Sequence, residues 1–402
     1  MDQSLEDSSS KEEISRVLEV LEALKQASHE LQTHASPIRG ESNSPAIKAL
    51  LELETESDAI LSKDPHLSTL SRHLANLKSL VDTLEKSHGL RSFLTRRVST
   101  HSISRVANSI ESEIQAWIDR ESVEKLSKAL KFSSENEEEL VGLLEQLEKR
   151  LSEGFDRELQ GLVLKSKMFS NLERILCDSS CSQRLREQCA FVIAALIKFN
   201  KDVFAGQVLM GPMVHALLSM ASWKSLKVLC SLIKSIKSPL VDEIESNGEI
   251  PKIISFLDYK DLQMRVLAMD VILEIGYFGR KEAIDAMIKE GLIKKLVELQ
   301  RSELGGDLID IGRFDEKENN NNNRENEGKK ENRESRQKRF LESHPFASCV
   351  ARFAVQLEVG EGLRQRERRA FKQEILERVK EVSASDAEAA TIVAEVLWGS
   401  SP

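Results

Sequence analysis

Apolar residues recur every three or four positions through most of the chain. Ile14, Val17, Leu18, Leu21, Leu24 and Leu31 hold one face, the spacing of an amphipathic helix. A break from Pro37 to Pro45 follows. Ser44 then supplies a capping hydroxyl and Pro45 a first helical residue, predicting a helix that carries Ile47, Leu50, Leu51, Leu53, Ile60 and Leu61. Beyond Pro65, the positions Leu67, Leu70, Leu74, Leu77, Val81 and Leu84 alternate three and four apart, a narrow seam suited to antiparallel helix packing. Gly89 ends that run, and Val106, Ile110, Ile114 and Trp117 make a fourth stripe. These four elements predict a helical bundle over residues 11–119, after an acidic, disordered N-terminus at 1–10.

From residue 120 a phrase repeats: short apolar helix, polar gap, longer apolar helix, glycine. Its aligned starts are Ser122-Val123, Lys167-Met168, Gly211-Pro212, Gly248-Glu249 and Gly291-Leu292. Intervals of roughly 37 to 45 residues match helical-repeat solenoids, in which each unit seals the apolar flank of the next. Glycine at the junction permits a sharp bend because it tolerates positive φ. Repeats are therefore expected over 120–306. Residues 307–341 form an insert with Asn319 to Asn323 and, between Asp307 and Arg339, nine acidic and nine basic residues. So little apolar surface does not offset ordering entropy, so disorder is expected there. The helical pattern resumes over 342–402, where Leu357-Glu358-Val359-Gly360 echoes Leu273-Glu274-Ile275-Gly276. The third helix of the interrupted repeat is thus expected beyond the insert, with Phe371, Ile375, Leu376 and Val379 on the next helix and a final cap near Asp386 to Trp398.

The stretch Gly248-Glu249-Ile250-Pro251, then Leu257, then Arg265-Val266-Leu267-Ala268-Met269-Asp270-Val271-Ile272-Leu273 resembles an armadillo repeat. It is most similar to the armadillo arrays of plants, including those fused to a U-box. The resemblance spans residues 120–402 and is strongest at 245–300. No Cys-Pro-Ile core of a U-box occurs, so ligase activity is not carried over. The resemblance implies an all-α protein: an N-terminal helical bundle followed by a right-handed armadillo-like α-solenoid whose third helices line a concave groove. It also implies that groove residues follow the small core residue by two and six places. With Cys189 as that residue these are Phe191 and Ala195, with Gln188 just before. Around Ala268 they are Asp270 and Glu274, and after the insert Arg352 and Gln356. The repeated tryptophan and asparagine of nuclear-import armadillo proteins is missing from these positions, so their type of cargo is not expected.

Composition sharpens this picture. Aromatics make up 5% and charged residues 31%, with a net charge of −9, a profile of long helices rather than a β-sandwich. The acidic balance argues against nucleic acid. Five cysteines and scattered histidines show no completed zinc spacing, and no phosphate-cradling glycine motif or nucleophile elbow occurs. No cofactor and no catalysis are expected. The charge-free run Val203–Trp223 has the length of a membrane span, but Gly211-Pro212 breaks it; a junction of two buried helices is expected instead. Arg96-Arg97-Val98-Ser99 resembles a basic-directed phosphorylation site, with Ser99 as acceptor in a loop. Lys329-Lys330 and Arg336 to Arg339 have the form of a bipartite nuclear-import signal. The function expected is a non-catalytic scaffold or adaptor in the cytoplasm or nucleus, binding an extended peptide or helix of a protein partner. Its rivals are an accessory subunit in ubiquitin-ligase or chaperone quality control, and a peripheral membrane adaptor acting through the N-terminal bundle.

Overall fold

Where no glycine or proline interrupts the apolar pattern, the helices run long. The computed structural model of the chain describes residues 68–86, 92–131, 137–306 and 340–398, with Leu21, Lys25 and Gln26. Every regular element among them is helical, and they form two compact units. The first comprises α1 (Ser68–Lys86), α2 (Ser92–Lys131) and α4 (Arg157–Lys165). Leu70, Leu74 and Leu77 of the predicted seam are buried, as are Ala107, Ile110, Ile114 and Trp117 on α2. Thr69 Oγ1 donates to Glu113 Oε2 at 3.1 Å across the pair, and Lys25 Nζ donates to Gln115 Oε1 at 2.5 Å. The two helices expected before Pro65 otherwise lie outside the described residues, as does the N-terminus.

One boundary differs from expectation. Residue 120 falls inside α2, which continues unbroken to Lys131, and the first unit extends to Ser133 and takes in 156–168. Ser122 therefore starts no new helix. No glycine or proline lies between Ser92 and Lys131, so nothing ends the helix where the periodicity changes.

The second unit begins with α3 (Glu137–Ser152), whose first turn holds Glu137, Glu138 and Glu139, charges that complement a helix N-terminus. Then come α5 (Met168–Cys177) and α6 (Gln183–Phe199), followed by α7 (Lys201–Leu209), α8 (Met213–Met220) and α9 (Trp223–Ile236). Next are α10 (Ser238–Ser246), α11 (Ile250–Ser255), a 3-10 turn at Phe256–Asp258, and α12 (Leu262–Phe278). The last set is α13 (Lys281–Lys289), α14 (Leu292–Arg301), α15 (Cys349–Val359), α16 (Gln365–Val382) and α17 (Asp386–Trp398). From α7 on, two short helices precede each long one. The long helices α3, α6, α9, α12 and α15 pack side by side in that order. This is an armadillo-like α-solenoid.

Local signals account for the joints. Ser182 accepts from the Leu185 amide to cap α6. Ser222 and Ser225 form a capping box on α9, and Asp261 caps α12. Gly248 and Gly291 stand at φ +69° and +79°, the left-handed conformation that a side chain disfavours. The charge-free run resolves into α7 and α8, bent by 75° at the Gly211-Pro212 break; among the described residues no single helix is long and apolar enough to cross a membrane. Phe204, Val208, Met213 and Leu217 of this pair are buried in the stack.

The interrupted repeat closes on itself. α15 packs on α12 and α14, taking the third-helix place although the insert separates it from α14. The Phe346 amide donates to Leu304 O at 3.1 Å and the Ser348 amide to Gly306 O at 2.9 Å. Residues 307–339 lie outside the described residues; Phe340 and Leu341, placed in the insert by pattern alone, belong to a helical turn at 340–343. Glu395 on α17, only 3% exposed, accepts from Gln300 Nε2 at 2.7 Å and from Ser348 Oγ. One carboxylate thus ties the last helix to chain on both sides of the insert.

Candidate partner-binding face

The five long helices bury one side of each cylinder against the short helices. At the point where a small or β-branched residue is fully buried, counting two and six places on along each helix brings out one row. Cys189, Val228, Ala268 and Val350 are the buried references. The row is then Phe191 and Ala195 on α6, Cys230 and Lys234 on α9, Asp270 and Glu274 on α12, and Arg352 and Gln356 on α15.

At the α3–α6–α9 end the row opens into a recess of about 590 Å³. Its floor and walls include Phe191, Ala194, Ala195 and Val228, with Phe155 and Phe199 at one side. Phe155, in the turn after α3, is 62% exposed, and its ring lies 5.4 Å from that of Phe199. Ser152 and Ser231 add hydroxyls, while Glu148, Lys198 and Lys227 bring charge. Gln188 Nε2 donates to Glu148 Oε2 at 2.8 Å, so Gln188 joins α6 to α3. Ser182 Oγ donates to Glu137 Oε1 at 2.5 Å and Arg184 pairs with Glu138, fastening the same two helices near their N-termini.

At the α9–α12–α15 end the row is polar and its charges answer one another. Lys234 Nζ lies 3.3 Å from Glu274 Oε1. Asp270 is half-buried, and burial raises its carboxyl above the usual range against the opposing pull of Arg352 and Lys234. Burial lowers the Arg352 guanidinium pKa, with Cys349 and Asp270 acting against that. Its Nη1 donates to Pro345 O at 2.6 Å. Burial also works against the Lys234 ammonium, but Cys230, Glu274 and Asp270 together raise its pKa. Gln356 stands against Gly276, where an added Cβ would come 3.1 Å from the Phe353 ring; the lack of a side chain at Gly276 is what lets α15 approach α12.

No protein-family model matches the chain, and no curated protein does. Among solved structures, a designed armadillo repeat protein is similar at 14% identity and TM-score 0.41, over 69% of this chain and 99% of its own. Another, solved in complex with the peptide (KR)4, is similar at 15% identity and TM-score 0.40, over 69% and 98%. Kap121p is similar at 11% identity and TM-score 0.43, over 99% of this chain; the match spans 34% of Kap121p. The architecture described above rests on the helix stacking itself.

Of the residues expected at the groove, the structure places Phe191 in the recess and gathers Asp270, Glu274 and Arg352 into one charged cluster. Gln188 and Gln356 serve helix-to-helix packing. Counting along α9 from Val228 would have found Cys230 and Lys234. Phe155 carried no periodic signal, because it sits in a turn. Ser99 lies within α2 rather than in a loop. The paired basic segments at 329–339 lie outside the described residues. Burial raises all five thiols, Cys189 and Cys349 to about 12 and Cys230 to about 11, which leaves little thiolate near neutrality.

Proposed function

We propose that the chain is a non-catalytic interaction protein that binds a segment of a partner protein along the third-helix face of its second unit. The observation that carries this reading is the recess: exposed Phe155 beside Phe191, over a floor of alanines, in a concavity between three parallel helices. Small floor residues with an aromatic wall give a partner side chain both space and a desolvating surface. Such pockets hold the few anchors that dominate protein association. The chemistry of the rest of the face agrees, since the Cys230 thiol, pushed up to about 11 by burial, is a poor nucleophile. The expected setting is the cytoplasm or nucleus, where free thiols persist.

The test is affinity capture from native tissue with three proteins: wild type, Ala195→Trp, which fills the recess, and Lys289→Glu on the exposed end of α13. Partners kept by Lys289→Glu and lost with Ala195→Trp support the reading. A partner set that Ala195→Trp leaves intact removes the face from the function. Components of ubiquitin ligases or of chaperone systems in the lost set would direct the scaffold to quality control.

A further inference from the structure

Charge is distributed unevenly along the third-helix face, and the unevenness bears on what the partner must carry. At the α12 end Lys234 is paired with Glu274 at 3.3 Å, and Asp270 feels the opposite charges of Arg352 and Lys234. Beside the recess, Lys224 is engaged by Glu187 at 3.1 Å and Glu148 accepts from Gln188. Lys198 and Lys227 are different. Both are exposed, both line the recess, and neither makes an ion pair among the described residues. The chain as a whole is acidic, at −9, so two unanswered ammonium groups next to its apolar concavity run against its general charge.

We propose that the recess takes an acidic segment of a partner protein built around a large apolar side chain. This rests on the protein-binding reading above and specifies its chemistry. The apolar side chain seats among Phe155, Phe191 and Ala195, displacing water from aromatic and methyl surface. Carboxylates neighbouring it in the partner meet Lys198 and Lys227. A basic segment would face like charge at both lysines and find, among the described lining residues, only Glu148, one of whose oxygens already accepts a hydrogen bond. The lysines act mainly on encounter and selectivity, and the apolar anchor on residence.

Three fluorescein-labelled peptides test this against the full chain by polarisation. One carries phenylalanine and leucine among aspartates, the second has lysine for every aspartate, and the third keeps the aspartates with alanine for the apolar pair. The first is expected to bind best, and its affinity to fall as salt rises. A Lys198→Glu/Lys227→Glu protein, altered only at exposed positions, should bind the first about tenfold more weakly, in line with two exposed charge pairs, and should gain affinity for the second. Phe155→Ser and Ala195→Trp should lose the first without responding to its charge. Tighter binding of the lysine peptide to wild type, or failure of all three to bind, overturns the proposal. If the lysine peptide binds and Ala195→Trp abolishes it, the recess remains a protein site and only the acidic partner falls. If Phe155→Ser and Ala195→Trp leave every affinity unchanged, the recess itself is excluded. Sedimentation velocity covers a second copy as occupant: self-association of wild type that Ala195→Trp removes would also overturn it.

Discussion

The two ends of the third-helix face are built from the same positions of successive repeats and do opposite things. On α6 the two-and-six positions hold Phe191 and Ala195 over an open recess. On α12 they hold Asp270 and Glu274, matched to Arg352 and Lys234 on either neighbour. One end offers surface that no other described residue of its unit covers. The other spends its polar groups on holding α9, α12 and α15 in register. Position in a repeat therefore tells where a side chain lies but not whether it is available; availability depends on what the adjacent repeats place opposite it.

The contrast can be tested most severely at the α12–α15 contact. Phe353 is fully buried beside Gly276, and Phe353→Ala should cost about 3–5 kcal/mol, read as a shift in urea midpoint. It should not weaken peptide binding at the recess as long as the protein is folded. Next in size, Arg352→Met removes the donor to Pro345 O and a cation facing Asp270, at about 1–3 kcal/mol. Adding Asp270→Leu to it should recover part of that loss, since a matched apolar pair can replace a paired charge. If the double variant is no better than the single, the charged end is not a structural pairing.

Smaller and of known sign is the response to pH. Burial raises the Asp270 carboxyl, so the folded state holds that proton more tightly than the unfolded one. The stabilisation this gives is complete below the ordinary carboxylate range and is lost as pH rises through the raised value. Asp270→Asn should therefore be more stable than wild type at neutral pH in urea titrations, with the advantage vanishing on acidification. An advantage that grows on acidification would reverse the assignment. Smallest of all, Phe155→Ser should change stability by no more than about 0.5 kcal/mol, as for other exposed positions, while removing binding at the recess. A large stability loss there would make Phe155 part of the core and erase the distinction between the two ends.

Much of the architecture could be read from local signals. The bends at Gly248 and Gly291, the break at Gly211-Pro212 and the caps at Ser182 and Ser222 each depend on a few adjacent residues. The place of α15 was legible through an echo of α12 across the insert. The limit of the first unit was not, because a change of periodicity at 120 has no breaker to enforce it and α2 runs through. At the face, counting from a small core residue found Phe191 and Asp270. The same spacing from Val228 leads to Cys230 and Lys234. That Lys234 neutralises Glu274, while Lys198 and Lys227 are left open, is a property of neighbouring helices, and no single stretch of sequence contains it.

The staple at the foot of the interrupted repeat has a consequence for how this chain tolerates change. With Leu304 and Gly306 bonded to Phe346 and Ser348, and Glu395 gripping Gln300 and Ser348, the chain on both sides of residues 307–339 is fixed by groups outside that stretch. Lengthening the chain between two anchored points is inexpensive in general, about 0.6 kcal/mol for each doubling. A tag or a foreign epitope spliced between those anchors is therefore expected to leave the register of the array unchanged.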